Sequence, residues 1–193
     1  EERRNTAPSI AYASHIIQKI NPDATIVVAP SDHLILKVEE FKEAILKGLE
    51  FASKNDKLVT LGIKPKRPET GYGYIQIDEE KKGDFYKVKT FIEKPAREFA
   101  EIFVQSNEFY WNSGIFVWHV NTILKAFHEM MSEICPRVEC DVPDFTSCPN
   151  ISIDTVLWKK PTMYTCSYAI SAGPIWVLGM HFMMLRPKTR TTT

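Results

Sequence analysis

Two short apolar runs, "TIVV" from Thr25 to Val28 and "LVTLGI" from Leu58 to Ile63, each follow a segment whose apolar residues recur at helical spacing. That alternation narrows the fold more than any other feature of the chain. Continuous apolar runs behind amphipathic helices predict strands of a parallel sheet buried on both faces. The first helix is "NTAPSIAYASHIIQKI", with Thr6 as N-cap, Pro8 in the first turn, and Ile10, Ala13, Ile17 and Ile20 on one face. The second, "EEFKEAILKGLEFASKND", turns Phe41, Ile45, Leu49 and Ala52 inward. Helix, strand, helix, strand is the order of an α/β sandwich.

Further along, "GYGYIQIDEE" and "DFYKVKTFIEKP" predict strands joined by a polar turn containing Lys81, Lys82 and Gly83. "AREFAEIFVQS" is a short helix, "FYWNSGIFVWH" a strand and "VNTILKAFHEMMSEI" another helix; after about Cys135 the patterning deteriorates. With 193 residues, 44% of them hydrophobic, the chain can build one domain with a sizeable core. Basic and acidic residues number 24 each, so no net charge argues for nucleic acid as a partner. No apolar run approaches the length of a membrane span. The chain opens on the charged "EERRN", without a signal peptide or an initiating Met, and is expected to begin inside a longer protein. Cys135, Cys140, Cys148 and Cys166 form no CxxC pair. They are expected as reduced thiols of a cytoplasmic protein rather than zinc ligands.

Several segments could carry chemistry. "APSDH" puts Ser31, Asp32 and His33 just past the carboxyl end of a strand, where ligands of open α/β sheets bind. Asp32 there either holds Mg²⁺ against substrate phosphates or caps a turn. In "PETGYGYI", Gly71 and Gly73 either let a ligand approach the backbone or mark a hairpin or bulge. "FIEKP" sets Glu93 and Lys94 at a strand end, either to bind hydroxyls and a phosphate or to form a surface ion pair. In "FYWNSGIFVW", Asn112, Ser113 and Gly114 interrupt an otherwise apolar strand. Buried polar groups need partners, so a ligand or a β-bulge has to account for them. The five histidines form no HxxxH or triad pattern, and no GxSxG nucleophile motif is present.

Taken in order, "RNTAP", "APSDH", "PETGYGYI", "FIEKP" and "WNSGIF" closely resemble the bacterial mannose-1-phosphate guanylyltransferases, a branch of the sugar nucleotidyltransferases. The resemblance runs from Arg4 to about Ile134, and "WNSG" separates it from relatives that make thymidine or uridine diphosphate sugars. It implies a Rossmann-like, three-layer, GT-A-like α/β nucleotidyltransferase domain with a mixed sheet, incomplete at its N-terminus. It also implies a reaction in which GTP and mannose 1-phosphate give GDP-mannose and pyrophosphate. Carried over by residue, Asp32 holds Mg²⁺ and Lys94 faces the sugar phosphate, these two being the catalytic positions. The Gly73 backbone, Glu93 and Asn112 meet the sugar, Gly114 gives Asn112 room, and Ser31 and Tyr74 join the substrate-binding positions. Asn5, Thr6 and Ala7 lie near the guanine. Another hexose-1-phosphate nucleotidyltransferase, or a non-catalytic sugar-phosphate-binding domain, stays open as an alternative. The resemblance is compatible with a homodimer.

Two departures from the family pattern set further expectations. The Gly-rich loop GGxGxRLWPLS and the PKQ segment that open the family are not present in these residues, so the chain as written is expected to be inactive. After "SID", ending at Asp154, the family's "YxxMEKAxN" and "FGWSDLGTW" are replaced by "TVLWKKPT" and "ISAGPIWVLGMHFMM". Codons for "TVLWKKPT" shifted by one base can spell "YCIMEKAN", and "ISAGPIWVLGMHFM" can likewise become "DLGWSDLGTWDALH". Frame shifts near Thr155 and Ile170 follow as the explanation. The domain boundaries expected from this are 1–169 for a partial catalytic domain and 170–193 for an aberrant, disordered tail.

Overall fold

The computed structural model describes residues 4–140, 143–158, 167–172 and 176–177. Its helices are α1 (Thr6–Ile20), α2 (Val38–Lys54), α3 (Arg97–Ser106), α4 (Val120–Met130), α5 (Cys135–Val138) and α6 (Ile153–Trp158). Its strands are β1 (Thr25–Val28), β2 (His33–Leu34), β3 (Leu58–Ile63), β4 (Tyr74–Lys82), β5 (Phe85–Ile92), β6 (Phe109–His119), β7 (Ser167–Ala172) and β8 (Trp176–Val177). The main sheet has the order β1-β6-β3-β7-β5-β4, with β6 also pairing β4, and β2 pairs with β8 in a separate ribbon. Only β3 and β7 among these neighbours run parallel, so the sheet is mixed, as expected.

Alternation along β6 builds the three layers. Phe116 and Trp118 face a cluster with α1, α4, α5 and α6, containing Ala7, Ala11, Ile123, Phe127, Ile134 and Val156. Ile115 and Val117 face the opposite side, where Ala44, Phe51 and Ala52 of α2 pack on Val59, Leu61 and Ile63. Period-2 side-chain direction makes one strand serve both cores. Fully buried Trp118, Ile115 and Leu61 each remove enough apolar surface to contribute about 1.5–3 kcal/mol.

Several local expectations need correction. Asn5, not Thr6, caps α1: its side chain accepts from Thr6 N at 2.9 Å. The buried stripe of α1 is Ala7, Pro8, Ala11 and Ser14, while Ile20 is 80% exposed. Small residues let α1 lie close on α4, and that close approach outranks the row of larger aliphatics. The strand β1 is antiparallel to β6 and terminal in the sheet, with Val27 partly exposed, rather than a doubly covered parallel strand. β3, by contrast, is buried at all six positions. Lys81 and Lys82 belong to β4, and the reversal is made by Gly83 at φ 62° and Asp84. β7 crosses the boundary drawn between Ala169 and Ile170 and pairs with both β3 and β5. The frame-shift reading reaches residues of α6, β7 and β8, but the rest of it, including everything after Val177, lies outside the described residues.

Candidate active site

The polar interruption of β6 is a bulge. Between Thr60 and Gly62, two positions along β3, the partner register on β6 runs from Phe116 to Asn112, four positions away. Extra residues in one strand bend it and re-aim side chains, and Gly114 takes a φ of 71° to allow this one. Each polar group there has a partner. Ser113 Oγ donates to Leu61 O at 2.7 Å and accepts from Ile115 N at 3.1 Å. Asn112 Oδ1 accepts from Gly114 N and Thr60 Oγ1, both at 3.2 Å. Asn112 Nδ2 donates to Asp154 Oδ1 at 2.6 Å, binding the first turn of α6 to the bulge. Burial raises the Asp154 pKa above the ordinary carboxylate value, and the Asn112 amide opposes that rise.

The sheet register collects the other motifs beside this bulge. Asn112 N donates to Gly73 O at 2.8 Å. On the far side of Gly73 lies Glu93: a Cβ added to Gly73 would sit 2.5 Å from Phe91 Cζ and 2.9 Å from Glu93 Oε2. Glycine is therefore favoured here by close approach, not by a turn, since a side chain would displace the Phe91 ring and the Glu93 carboxylate. Lys94 N donates to Tyr72 O at 3.2 Å, and Lys94 Nζ stands 3.6 Å from Glu93 Oε1, both side chains exposed. Lys94 also holds a φ of 43°, strained for a residue with a Cβ and more so before Pro95. Across β6 in the other direction, a Cβ on Gly114 would meet Pro30 Cγ at 3.3 Å. Directly after Pro30, Ser31 and Asp32 form the exposed turn between β1 and β2. Next to them His33 is pushed below its ordinary pKa by burial, against the opposing charge of Asp32.

The segment "RNTAP" joins the cluster through the chain's later half. Ala7 N donates to Ile151 O at 3.1 Å, and Thr6 Oγ1 accepts from Ile153 N at 2.9 Å. Those bonds start α6 and so place Asp154 under Asn112. Of the positive-φ residues, Asn5, Lys94 and Gly114 fall within motif segments, while Gly83 serves the β4–β5 reversal and Asn107 ends α3. Gly73, Glu93, Lys94, Asn112, Gly114, Ser31 and Asp32 are thus brought to one end of the sheet, with Asn5 and Thr6 linked to it through α6.

Two of the expected site residues do not offer side chains to a ligand. Tyr74 is fully buried, its ring tilted on Phe103 at 5.4 Å and its hydroxyl accepting from Glu69 N at 3.0 Å. Ala7 is also fully buried, in the core beneath α1. Both are packing residues that flank motif positions. Conversely, Asp154, Thr60 and Trp111 were not singled out by sequence. A half-buried Asn amide in a strand needs an acceptor, which was the available signal for Asp154. Trp111 stands edge-on to Tyr72 at 5.2 Å, and its Nε1 is buried with no hydrogen-bond partner among the described residues.

A mixed sheet with helices on both faces, and polar strand-end segments gathered at one end of it, defines a Rossmann-like α/β domain of the nucleotide-handling class. The chain belongs to the nucleotidyl transferase family, whose family model matches residues 1–146. It is 35% identical over 177 residues to a mannose-1-phosphate guanylyltransferase of Escherichia coli, an alignment covering 81% of this chain and 38% of the relative. It is likewise 35% identical over 186 residues to the mannose-1-phosphate guanylyltransferase RfbM of Salmonella typhimurium, covering 88% of this chain and 38% of that one. A solved structure from Thermus thermophilus, described as a mannose-1-phosphate geranyltransferase, superposes with a TM-score of 0.81 at 26% identity. That match covers 92% of this chain and 53% of the solved one. The chain therefore spans well under half the length of these curated relatives.

Proposed function

We propose that this site serves the transfer of GMP from GTP to mannose 1-phosphate, giving GDP-mannose and pyrophosphate, in a cytoplasmic enzyme. The observation that carries the reading is the contiguous row Pro30–Gly114–Asn112–Gly73–Glu93, which gathers the motif segments at one end of the sheet. Relatives named for the same reaction support it. No helix among the described residues is long and apolar enough to cross a membrane.

In this reading Glu93 accepts hydrogen bonds from sugar hydroxyls, and the absence of a side chain at Gly73 keeps its carboxylate in place. Lys94 swings its ammonium from Glu93 to the sugar phosphate, orienting the attacking oxygen in line with the α-phosphorus of GTP. Asn112, held by Asp154 and Thr60, fixes the bulge that sets the distance between the sugar side and the turn at Asp32. Asp32 fits Mg²⁺: its carboxylate belongs to an exposed residue on a turn, at the end of the sheet where the motif segments gather. One such carboxylate together with substrate phosphates is an ordinary Mg²⁺ ligand set. Mg²⁺ bound there supplies charge neutralisation at the transferring phosphate.

The test is calorimetry of this chain with mannose 1-phosphate and with GTP, beside glucose 1-phosphate and thymidine triphosphate, with pyrophosphate release followed in the same mixtures. Preference for mannose 1-phosphate and GTP supports the assignment. Preference for another pair points to a different hexose-1-phosphate nucleotidyltransferase. Sugar-phosphate binding with no GTP binding, persisting in a protein to which the Gly-rich loop segment has been added, points to a binding domain instead.

A further inference from the structure

Away from the motif residues, α4 ends beside a second cluster of metal-ligating groups. His128 lies in the last turn of α4, Cys135 opens α5, and Glu139 follows its end. His128 Nε2 is 3.0 Å from Glu139 Oε1. One ligand atom from each of His128, Cys135 and Glu139 lies within 4.8 Å of the others. Cys135 and Glu139 are four residues apart, and Glu139 N donates to Cys135 O at 2.8 Å, so one helical turn holds thiol and carboxylate on the same side. The cluster borders a cavity of about 490 Å³ also lined by His15, Asn121 and Lys125. His15 Nε2 itself is buried with no hydrogen-bond partner among the described residues.

We propose that His128, Cys135 and Glu139 form a Zn²⁺ site that pins the end of α4 to α5. Ligand softness decides the metal: thiolate and imidazole select Zn²⁺, whereas Mg²⁺ takes oxygen ligands. Bond lengths of about 2.0–2.3 Å around tetrahedral Zn²⁺ put ligand atoms roughly 3.3–3.8 Å apart. The observed cluster needs only small side-chain movements to reach that, and the His128 side chain is 55% exposed and able to make them. In the metal-free chain, burial and then the Glu139 charge push the Cys135 thiol up to about 12. Coordination replaces the S–H bond by an S–Zn bond and releases the proton to water. His128 binds as neutral imidazole through Nε2, giving up its contact with Glu139. The fourth position is left to water on the cavity side. Cysteine spacing alone does not suggest such a site, because its ligands read H-x₆-C-x₃-E and only one of them is a cysteine.

The experiment uses this chain without a histidine tag, titrated with Co²⁺ as a spectroscopic substitute and then with Zn²⁺ and Mg²⁺. One Co²⁺ per chain should bind with a thiolate-to-cobalt charge-transfer band in the near ultraviolet. Zn²⁺ should abolish the band and Mg²⁺ should not. Cys135→Ser should remove the band and Cys140→Ser should keep it. His128→Gln, at an exposed position that leaves folding intact, should weaken Co²⁺ binding by about tenfold or more. That variant decides the matter if Cys135→Ser fails to fold. Absence of the band at saturating Co²⁺, its survival in folded Cys135→Ser, or unchanged affinity in His128→Gln would overturn the proposal.

Discussion

Asn112→Ala tests the bulge most sharply, because the structure gives each bond that the substitution removes. The largest is Nδ2 to Asp154 Oδ1 at 2.6 Å. A hydrogen bond to a charged group contributes about 1.5–3 kcal/mol. Gly114 N loses its acceptor as well, adding about 1 kcal/mol. Thr60 Oγ1 keeps Ile115 O at 3.3 Å and loses little. The expected destabilisation is therefore about 2.5–4 kcal/mol. Its pH dependence has a definite sign. Burial already raises the Asp154 pKa in the folded state, and the Asn112 donor restrains that rise. Losing the donor raises the folded value further. A carboxyl whose folded pKa exceeds its unfolded one makes stability fall as pH rises through the interval between them. The deficit of Asn112→Ala should thus be smaller in acid and grow toward neutral pH. Urea unfolding across that range gives the curve, and a double-mutant cycle with Asp154→Ala isolates the pair. Coupling of about 1.5–3 kcal/mol is expected. Coupling under about 0.5 kcal/mol, or a deficit that does not change with pH, would refute the assignment of Asn112 to Asp154.

Gly73→Ala introduces a methyl group against Phe91 Cζ and Glu93 Oε2. Both are outer ends of side chains, so unfolding free energy should drop by only about 1 kcal/mol while mannose 1-phosphate affinity falls; affinity unchanged beside a lower Tm would make Gly73 purely structural. Glu93→Gln should weaken mannose 1-phosphate about ten- to hundredfold, the equivalent of one charge-assisted hydrogen bond, and leave GTP binding unchanged; equal losses for both ligands would contradict the sugar-site role. Lys94→Gly should move stability and function in opposite directions. Relief of the φ of 43° adds about 1 kcal/mol of stability, and loss of the ammonium weakens the sugar phosphate. Denaturant midpoint and calorimetry together check the pair, and a less stable variant would show that the backbone there is unstrained.

Much of the architecture was legible because hydrophobic period and length carried it. TIVV and LVTLGI both proved to be strands with the bounds read from sequence, and the patterning also located α2, α3, α4, β4, β5 and β6, whereas β2, α5, α6, β7 and β8 were not read from it. Strand direction was not legible, since an apolar run has the same composition whether its neighbour is parallel or antiparallel. β1 shows this: it pairs antiparallel to β6, a strand far later in the chain. The α1 face was misread because close packing of Ala7 and Ala11 outweighs the larger apolar area of Ile17 and Ile20. At the site, the motif segments were identified individually, but their bonds were not. Nothing local to Asn112 indicates that its acceptor is Asp154, 42 residues on. The burial of the Tyr74 ring was hidden for a related reason. Neighbouring residues on a strand point to opposite faces, so a residue beside Gly73 sends its ring into the core.

In the proposed function, segments far apart in sequence make one sugar-phosphate site at the bulge of β6. Amide chemical-shift mapping of the isotope-labelled chain during titration with mannose 1-phosphate tests this directly. Saturable shifts are expected at Gly73, Glu93, Lys94, Asn112 and Gly114, with Ser31 and Asp32 joining when GTP and Mg²⁺ are added. Shifts confined to the cavity around His15 and His128, or a saturating titration that leaves Gly73, Glu93 and Asn112 unmoved, would contradict it.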